Sequence, residues 1–450
     1  MRNEITEGSL IKAMVAIALP TVLSSLLQGM YNVVDMFWVG KLGAAAVAAV
    51  SLSFPFIFLM ITLGMGLSIA GSIMVSHHKG AGRHERVNYV GSQTLASTFI
   101  ISILLAAVGY VSAPYVLGLM GLEASVFADA TSYLAITYAG LPFVFFYFAF
   151  QSLLRGSGNA TLPLYVVAFS VFMNAVLDPI FIFGYGPVPA MGVPGAALAT
   201  VITQAVAALI GVIMLLRGTG GMRVTIMRPH LDMLKKTVRL GAPASAELAS
   251  ISLGLMAMTF LVAPFGTEVI AAYGIGIRVL SFFVIPAAGL AMATTALVGQ
   301  NMGAEKIERA EKATVLGILT GFAVMTVLGA LTFAFSRAIA SVFIADAYVI
   351  GITEGFLNVI ALSFGFMAVQ EVVRGTLKGA GHTMMSMAIS LVLFWVIRFP
   401  LAYVLAYFTP LSYAGLWWSF PLSFFLAALL SVAIFRSGAW KKKKARGEFL

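Results

Sequence analysis

The sequence predicts an all-α polytopic membrane protein: twelve transmembrane helices arranged as two pseudo-symmetric six-helix lobes. Three observations predict it. Sixty per cent of the residues are hydrophobic and ten per cent charged, with a mean hydropathy of +1.00, a balance foreign to an ordinary soluble domain. The apolar stretches number twelve, each about long enough for a bilayer. Many positions in the first half recur 223 residues later.

Polar or turn-rich breaks bound the apolar segments at about 10–39, 46–76, 89–113, 125–152, 162–185, 192–216, 236–262, 269–299, 312–335, 347–373, 384–408 and 414–436. The first follows Arg2 and Glu4 without a cleavable-signal pattern and is too long for a signal core, so it is expected to stay. Alternate connections separate the charges. One set holds Arg2, Lys12, Lys79, Arg83, Arg86, Arg155, the stretch from Arg217 to Arg239, Lys306, Arg309, Lys312, Arg374, Lys378 and Lys441 to Lys444. The other holds little beyond Lys41 and Arg337. The positive-inside rule then places both termini in the cytoplasm of a protein of the cytoplasmic (inner) membrane. The net charge of +10 sets orientation and does not imply a nucleic-acid partner.

No stretch supports an enzyme or a bound cofactor. Without cysteine there is no disulfide framework and no thiolate metal site. The histidines (His77, His78, His84, His230, His382) all fall in cytoplasmic connections or at their edges, so no span carries a histidine base or ligand. Gly80-Ala81-Gly82 and Gly379-Ala380-Gly381 precede no phosphate-loop pattern and read as turns.

The repeat organises the chain. At an offset of 223, Pro20 matches Pro243, Gly43 matches Gly266, and Gly66-Leu67 matches Gly289-Leu290. Glu85-Arg86 matches Glu308-Arg309, Gly156 matches Gly379, Gly158 matches Gly381, and Gly192 matches Gly415. Each copy has six spans, so both insert with one orientation and are parallel repeats about an axis near the membrane normal. The expected division is a first lobe at 1–216, a cytoplasmic linker at 217–235, a second lobe at 236–440 and a basic tail at 441–450. Such lobes imply a central cavity and rocking between inward-open and outward-open states. Pro20 and Pro243 each remove a backbone hydrogen bond in the first helix of a lobe, as a static kink or as a hinge.

Chemistry concentrates in the first lobe. Gln28, Tyr31 or Asn32, and Asp35 line one helical face at membrane depth. An acid there is costly unless it pairs, faces water or titrates. Asp178 lies about 17 residues into its own span, with Asn174 one turn earlier and Pro179 freeing a backbone carbonyl. At the repeat offset Asp35 falls on Met258 and Asp178 on Leu401, so the acid pair belongs to one lobe. Oxygen-only groups of this kind suit a small hard cation or a shared proton, not a soft metal. In the second lobe, Glu371 and Arg374 at i, i+3 read as a structural ion pair. Glu247 sits one turn after Pro243, and Arg278 and Arg398 lie inside spans. Arg398, before Phe399-Pro400, either holds a carboxylate or carbonyl shut in one conformation or anchors two helices.

Four motifs together carry a family resemblance: Leu19-Pro20 with Gln28, Tyr31-Asn32 and Asp35; Leu154 to Asn159; Asn174 with Leu177 to Phe181; and Gly195 to Thr200. With them the chain resembles, over essentially its whole length, the multidrug and toxic compound extrusion (MATE) family. The resemblance implies secondary active efflux of bulky, often cationic, amphipathic compounds, driven by inward Na⁺ or H⁺. Asp35 looks like the family's essential first-helix acid, linked to bending at Pro20. Asp178, Asn174 and Thr200 match its cation-binding positions, and Gln28, Tyr31 and Asn32 its cavity-facing residues. One branch couples instead through acids of the second lobe. Here Glu247 is about one turn from that branch's seventh-helix acid, and Met367 replaces its tenth-helix acid. The chain therefore looks closer to the branch grouped with DNA-damage-inducible proteins.

The implied partners are small-molecule substrates and the lipid bilayer, and nothing in the sequence demands more than a monomer. Two rivals stand beside this reading. A lipid or lipid-linked oligosaccharide flippase of the same superfamily would want a cavity rich in Arg and Lys. A membrane scaffold or channel would not need an acid pair confined to one lobe.

Overall fold

The computed structural model describes residues 5–442. Arg2 and the basic tail from 443 onward lie outside them. Among the described residues the fold is helical, with a single isolated bridge between Tyr185 and Val188. The first repeat contains α1 (Leu10–Gly40), α2 (Ala44–Gly80), α3 (His84–Gly118), α4 (Ala124–Ala139), α5 (Leu141–Gly156), α6 (Thr161–Phe183) and α7 (Val193–Leu216). The second contains α8 (Leu231–Val262), α9 (Thr267–Gly303), α10 (Ile307–Ala334), α11 (Ser336–Phe343), α12 (Ala347–Ala361) and α13 (Phe364–Gly379). It ends with α14 (Thr383–Leu391), a π-helical segment Val392–Arg398, α15 (Phe399–Tyr407) and α16 (Tyr413–Arg436).

Ten of these spans are long and apolar enough to cross a membrane, and the bent pairs α4–α5 and α12–α13 bring the number to twelve if each is one crossing. The bends, 49° and 50°, fall at equivalent places: Gly140 breaks the first pair, and Ser363, 223 residues on, breaks the second. Pro142 at the start of α5 has no N–H to continue the helix of α4. The repeat also appears in the caps. Gly43 and Gly266 precede α2 and α9 with φ of 110° and 101°, a conformation only glycine adopts without strain.

Past Leu391 the register changes. The π-helical segment inserts one residue, so buried positions that matched at 223 now match at 224. Ser170 and Val171 correspond to the buried Leu393 and Phe394, whereas Asp178 and Ile182 correspond to the buried Ala402 and Ala406. Asp178 is therefore replaced by Ala402 and not by Leu401, and the counterpart of Asn174 is Arg398. A shorter connection before α16 then reduces the offset to 220. A Cβ on Gly195 would overlap the Phe181 carbonyl, and one on Gly415 the Leu405 carbonyl. The partner of Gly415 is thus Gly195, correcting the match with Gly192. Gly192 pairs instead with Ser412, which caps α16 with the same positive φ, 53° against 61°.

Two compact units emerge from the packing. Leu23–Ser245 form one; residues up to Val22 join Ala246 onward in the other. The division falls inside α1 and inside α8, two residues past Pro20 and Pro243. Within each unit a glycine of the long second helix receives the exchanged helix end. Gly66 packs against Gly241 and Ser245, and Gly289 against Ala18 and Val22, at equivalent positions in the repeat. Ser245 Oγ donates to the Leu63 carbonyl at 3.0 Å. The stretch before α8 is pinned to α3: Asn88 accepts from Arg223 N, Ser92 from Thr225 N and Gln93 from His230 N.

Candidate cation site in the first repeat

The site is built from α1, α4, α6 and α7. Tyr31 is buried on α1. Its hydroxyl donates to Thr203 Oγ1 at 2.7 Å and lies 2.7 Å from Ser170 Oγ. Thr203 Oγ1 in turn donates to the Thr200 carbonyl. Those bonds bring α1, α6 and α7 together at one level. α1 and α6 are the first and fifth crossings and run parallel, so Asp35 and Asn174, each four residues further on, share the next level about 6 Å along. α7 runs the other way and brings Thr200 there too, where its Oγ1 accepts from Asn174 Nδ2 at 3.4 Å. One turn beyond, Asp178 Oδ1 accepts from Asn174 Nδ2 at 2.8 Å. Tyr133 on α4 donates to Asp35 Oδ2 at 3.3 Å.

Three oxygens in this layer have no protein donor: Asp35 Oδ1, Asn174 Oδ1 and Asp178 Oδ2 are all buried and unpaired. Neither Asp35 nor Asp178 makes an ion pair among the described residues. Buried acceptors without donors are costly. The cost is relieved by a proton on a carboxylate or by a small cation that takes oxygen ligands. No group of three or more His, Cys, Asp or Glu side chains suited to a metal occurs among the described residues, so any cation here must use amide and hydroxyl oxygens beside the two carboxylates.

The cavity-facing residues divide. Tyr31 is internal to the site, Asn32 is exposed, and Gln28 belongs to a separate polar pair. Its Nε2 donates to Gln151 Oε1 at 2.9 Å, an oxygen that Arg155 Nη1 approaches at 3.4 Å. Tyr133, Ser170, Thr203 and Gln151 were not singled out from the sequence. Ser170, Asn174 and Asp178 at successive i, i+4 steps are the signal that marks the α6 face.

The second-repeat charges form something different. Glu247 is fully buried and ion-paired to Arg374, to Lys378 at 2.6 Å, and hydrogen-bonded by Ser386 at 2.7 Å. Arg374 also holds Glu371 at 2.6 Å. Two acids and two bases thus neutralise one another. Arg278 is exposed on α9 and makes no ion pair among the described residues.

The two halves are recognised separately by comparison with known proteins. The MatE family model matches residues 20–180 and 243–404, two segments whose starts lie 223 apart and whose ends lie 224 apart, as the inserted residue requires. The chain belongs to the MatE family. Its relatives include a probable multidrug resistance protein of Bacillus subtilis named YoeA, 31% identical over 445 residues, covering 98% of this chain and 96% of that protein. A probable multidrug resistance protein NorM of Thermotoga maritima is 26% identical over 96% of this chain and 93% of its own. The structure is similar to that of a multidrug resistance MATE family transporter of the MOP superfamily in an outward-facing conformation, with a TM-score of 0.91, 25% identity and 98% of each chain covered. This MatE protein is a multi-pass membrane multidrug transporter acting on small molecules. Like the family it is not an enzyme.

Proposed function

We propose that this MatE transporter is a secondary active antiporter that couples at the oxygen cluster of Asp35, Asn174, Asp178 and Thr200. The three buried acceptor oxygens without donors carry the reading. A proton or Na⁺ entering the cluster supplies what those oxygens lack. Because Asp35 and Tyr31 project from one helix, filling the site repositions α1, whose packing changes partner just past Pro20. Pro20 deprives the Ala16 carbonyl of its usual donor, which lowers the cost of bending there. Alternating access of the sequence lobes 1–216 and 236–440 then exchanges ion for drug. The coupling ion is H⁺ or Na⁺, the substrates are amphipathic and often cationic, and a monomer suffices. The protein would sit in the cytoplasmic membrane with both termini inside. Coupling in the first repeat is the pattern of the DNA-damage-inducible-type branch.

Efflux of a fluorescent cationic dye from proteoliposomes, with Na⁺ and pH gradients imposed separately, tests the proposal. The parent is expected to export dye when one of the two ion gradients is imposed inward, and folded Asp35→Asn to lose that coupling by more than about tenfold. Undiminished coupled efflux by Asp35→Asn would overturn it.

A further inference from the structure

Arg398 occupies in the second repeat the place that Asn174 holds in the first, and its surroundings invert the polarity of that site. The guanidinium is buried, with 1% exposure. Phe394, Phe420 and Phe424 surround it, their ring centres 4.7, 4.5 and 4.3 Å from Cζ. Phe420 stands where the repeat places Thr200, and Ser423 where it places Thr203. Ser423 Oγ behaves as Thr203 does: it donates to the Phe420 carbonyl and accepts from Arg398 Nε, both at 2.9 Å. The framework of the first site is kept and its oxygen donors are exchanged for a cation and aromatic rings.

That cation is incompletely satisfied. Arg398 Nη2 is buried without a hydrogen-bond partner, and among the described residues no carboxylate lies within ion-pairing distance. The same apolar cluster contains Trp417, whose Nε1–H is also buried and unpartnered. Trp417 packs 4.4 Å from Phe356, which packs 5.6 Å from Phe420. Cation–π contacts offset part of the burial of the charge, but they accept no N–H in the guanidinium plane. A buried charge of this kind is otherwise paired or hydrogen-bonded.

We infer that the second repeat contains an anion site at Arg398, which takes a compact, singly charged anionic group with hydrogen-bond acceptors. A doubly charged, strongly hydrated anion is disfavoured, because one guanidinium neutralises only one charge and the walls are phenyl rings. A free halide and the carboxylate of an organic compound share the required chemistry.

The test uses the purified full-length protein in detergent at constant Na⁺ and ionic strength, so it does not depend on the coupling site of the first repeat. Potassium sulfate, whose doubly charged and strongly hydrated anion the site disfavours, is replaced stepwise by potassium chloride and, in a second series, by potassium benzoate, while the melting temperature is followed. The parent is expected to show a saturable rise in at least one series, since a ligand that binds only the folded state stabilises it. Arg398→Met should abolish that rise, and Arg398→Lys should weaken the apparent affinity by about tenfold, because an ammonium cannot reproduce the planar fork. A rise with chloride assigns a free-anion site. A rise with benzoate alone assigns the carboxylate of an organic compound. A flat parent response in both series overturns the inference even where Arg398→Met fails to fold. So does a response that Arg398→Lys and Arg398→Met leave unchanged.

Discussion

Asn174 and Arg398 stand at equivalent points of the two repeats, yet they are 224 residues apart in a chain whose repeat otherwise runs at 223. The extra residue is housed in the π-helical segment Val392–Arg398, which turns the following helix so that Arg398, Ala402 and Ala406 become the buried face. In the first repeat that face reads Asn174, Asp178 and Ile182. One repeat thus presents acids and an amide to its interior, and the other a guanidinium.

The Tyr31 hydroxyl joins α1 to both Ser170 and Thr203. Tyr31→Phe leaves two buried hydroxyls without that partner, at a cost of about 1–2 kcal/mol. The expected result is a lowered melting temperature together with weakened ion-coupled transport, because the level that holds Asp35 beside Asn174 loosens. Thermal unfolding and proteoliposome efflux on the same preparation check both.

Gly195 and Gly415 let helices approach the Phe181 and Leu405 carbonyls at equivalent places. Alanine at either position must displace backbone, so each substitution should cost about 1–3 kcal/mol and the two should cost similar amounts. Gly274→Ala, with nothing within 4 Å of the added Cβ, is the neutral control. Heat inactivation in detergent reads all three.

Glu247 is the acid on which Arg374 and Lys378 converge. Glu247→Leu strands Lys378 and leaves Arg374 with Glu371 alone, and should destabilise by about 3–5 kcal/mol. Adding Arg374→Met should recover part of that loss, because the buried charge goes with its partner. A double-mutant cycle on thermal stability measures the coupling.

Gln93 accepts from His230 N and donates to the Arg228 carbonyl at 2.9 Å, fastening the stretch before α8 along α3. Gln93→Leu should free that stretch with little effect on the helices themselves. Limited proteolysis is expected to cut between residues 222 and 231 faster in the variant than in the parent.

Much of this was legible in the sequence because glycine and proline mark backbone geometry. Pro20 with Pro243 and Gly43 with Gly266 kept the register visible, and the unpaired acids at Asp35 and Asp178 stood out against apolar spans. The inserted residue was not legible. Leu391 to Phe399 is apolar up to Arg398 and contains no turn residue, so a π insertion leaves no mark in composition. The bends at Gly140 and Ser363 were hidden for a similar reason, since each bent pair reads as one continuous apolar span. Tyr133 could not be assigned to Asp35 from spacing, because 98 residues separate the two. Nor did the exchange of helix ends at Val22 and Ser245 show, as it depends on which neighbours each half-helix meets.

The central claim is that ion and drug exclude one another through the Asp35–Asn174–Asp178–Thr200 cluster. Its most direct measurement is equilibrium binding of a fluorescent cationic dye to the purified protein across a range of Na⁺ concentration and pH. Reciprocal linkage predicts that the coupling ion raises the dye's Kd by about 5–150-fold and that dye displaces the ion equally, with both effects lost in Asp35→Asn and Asp178→Asn. A dye affinity that is independent of Na⁺ and of pH, in a protein that still binds dye, would contradict the account.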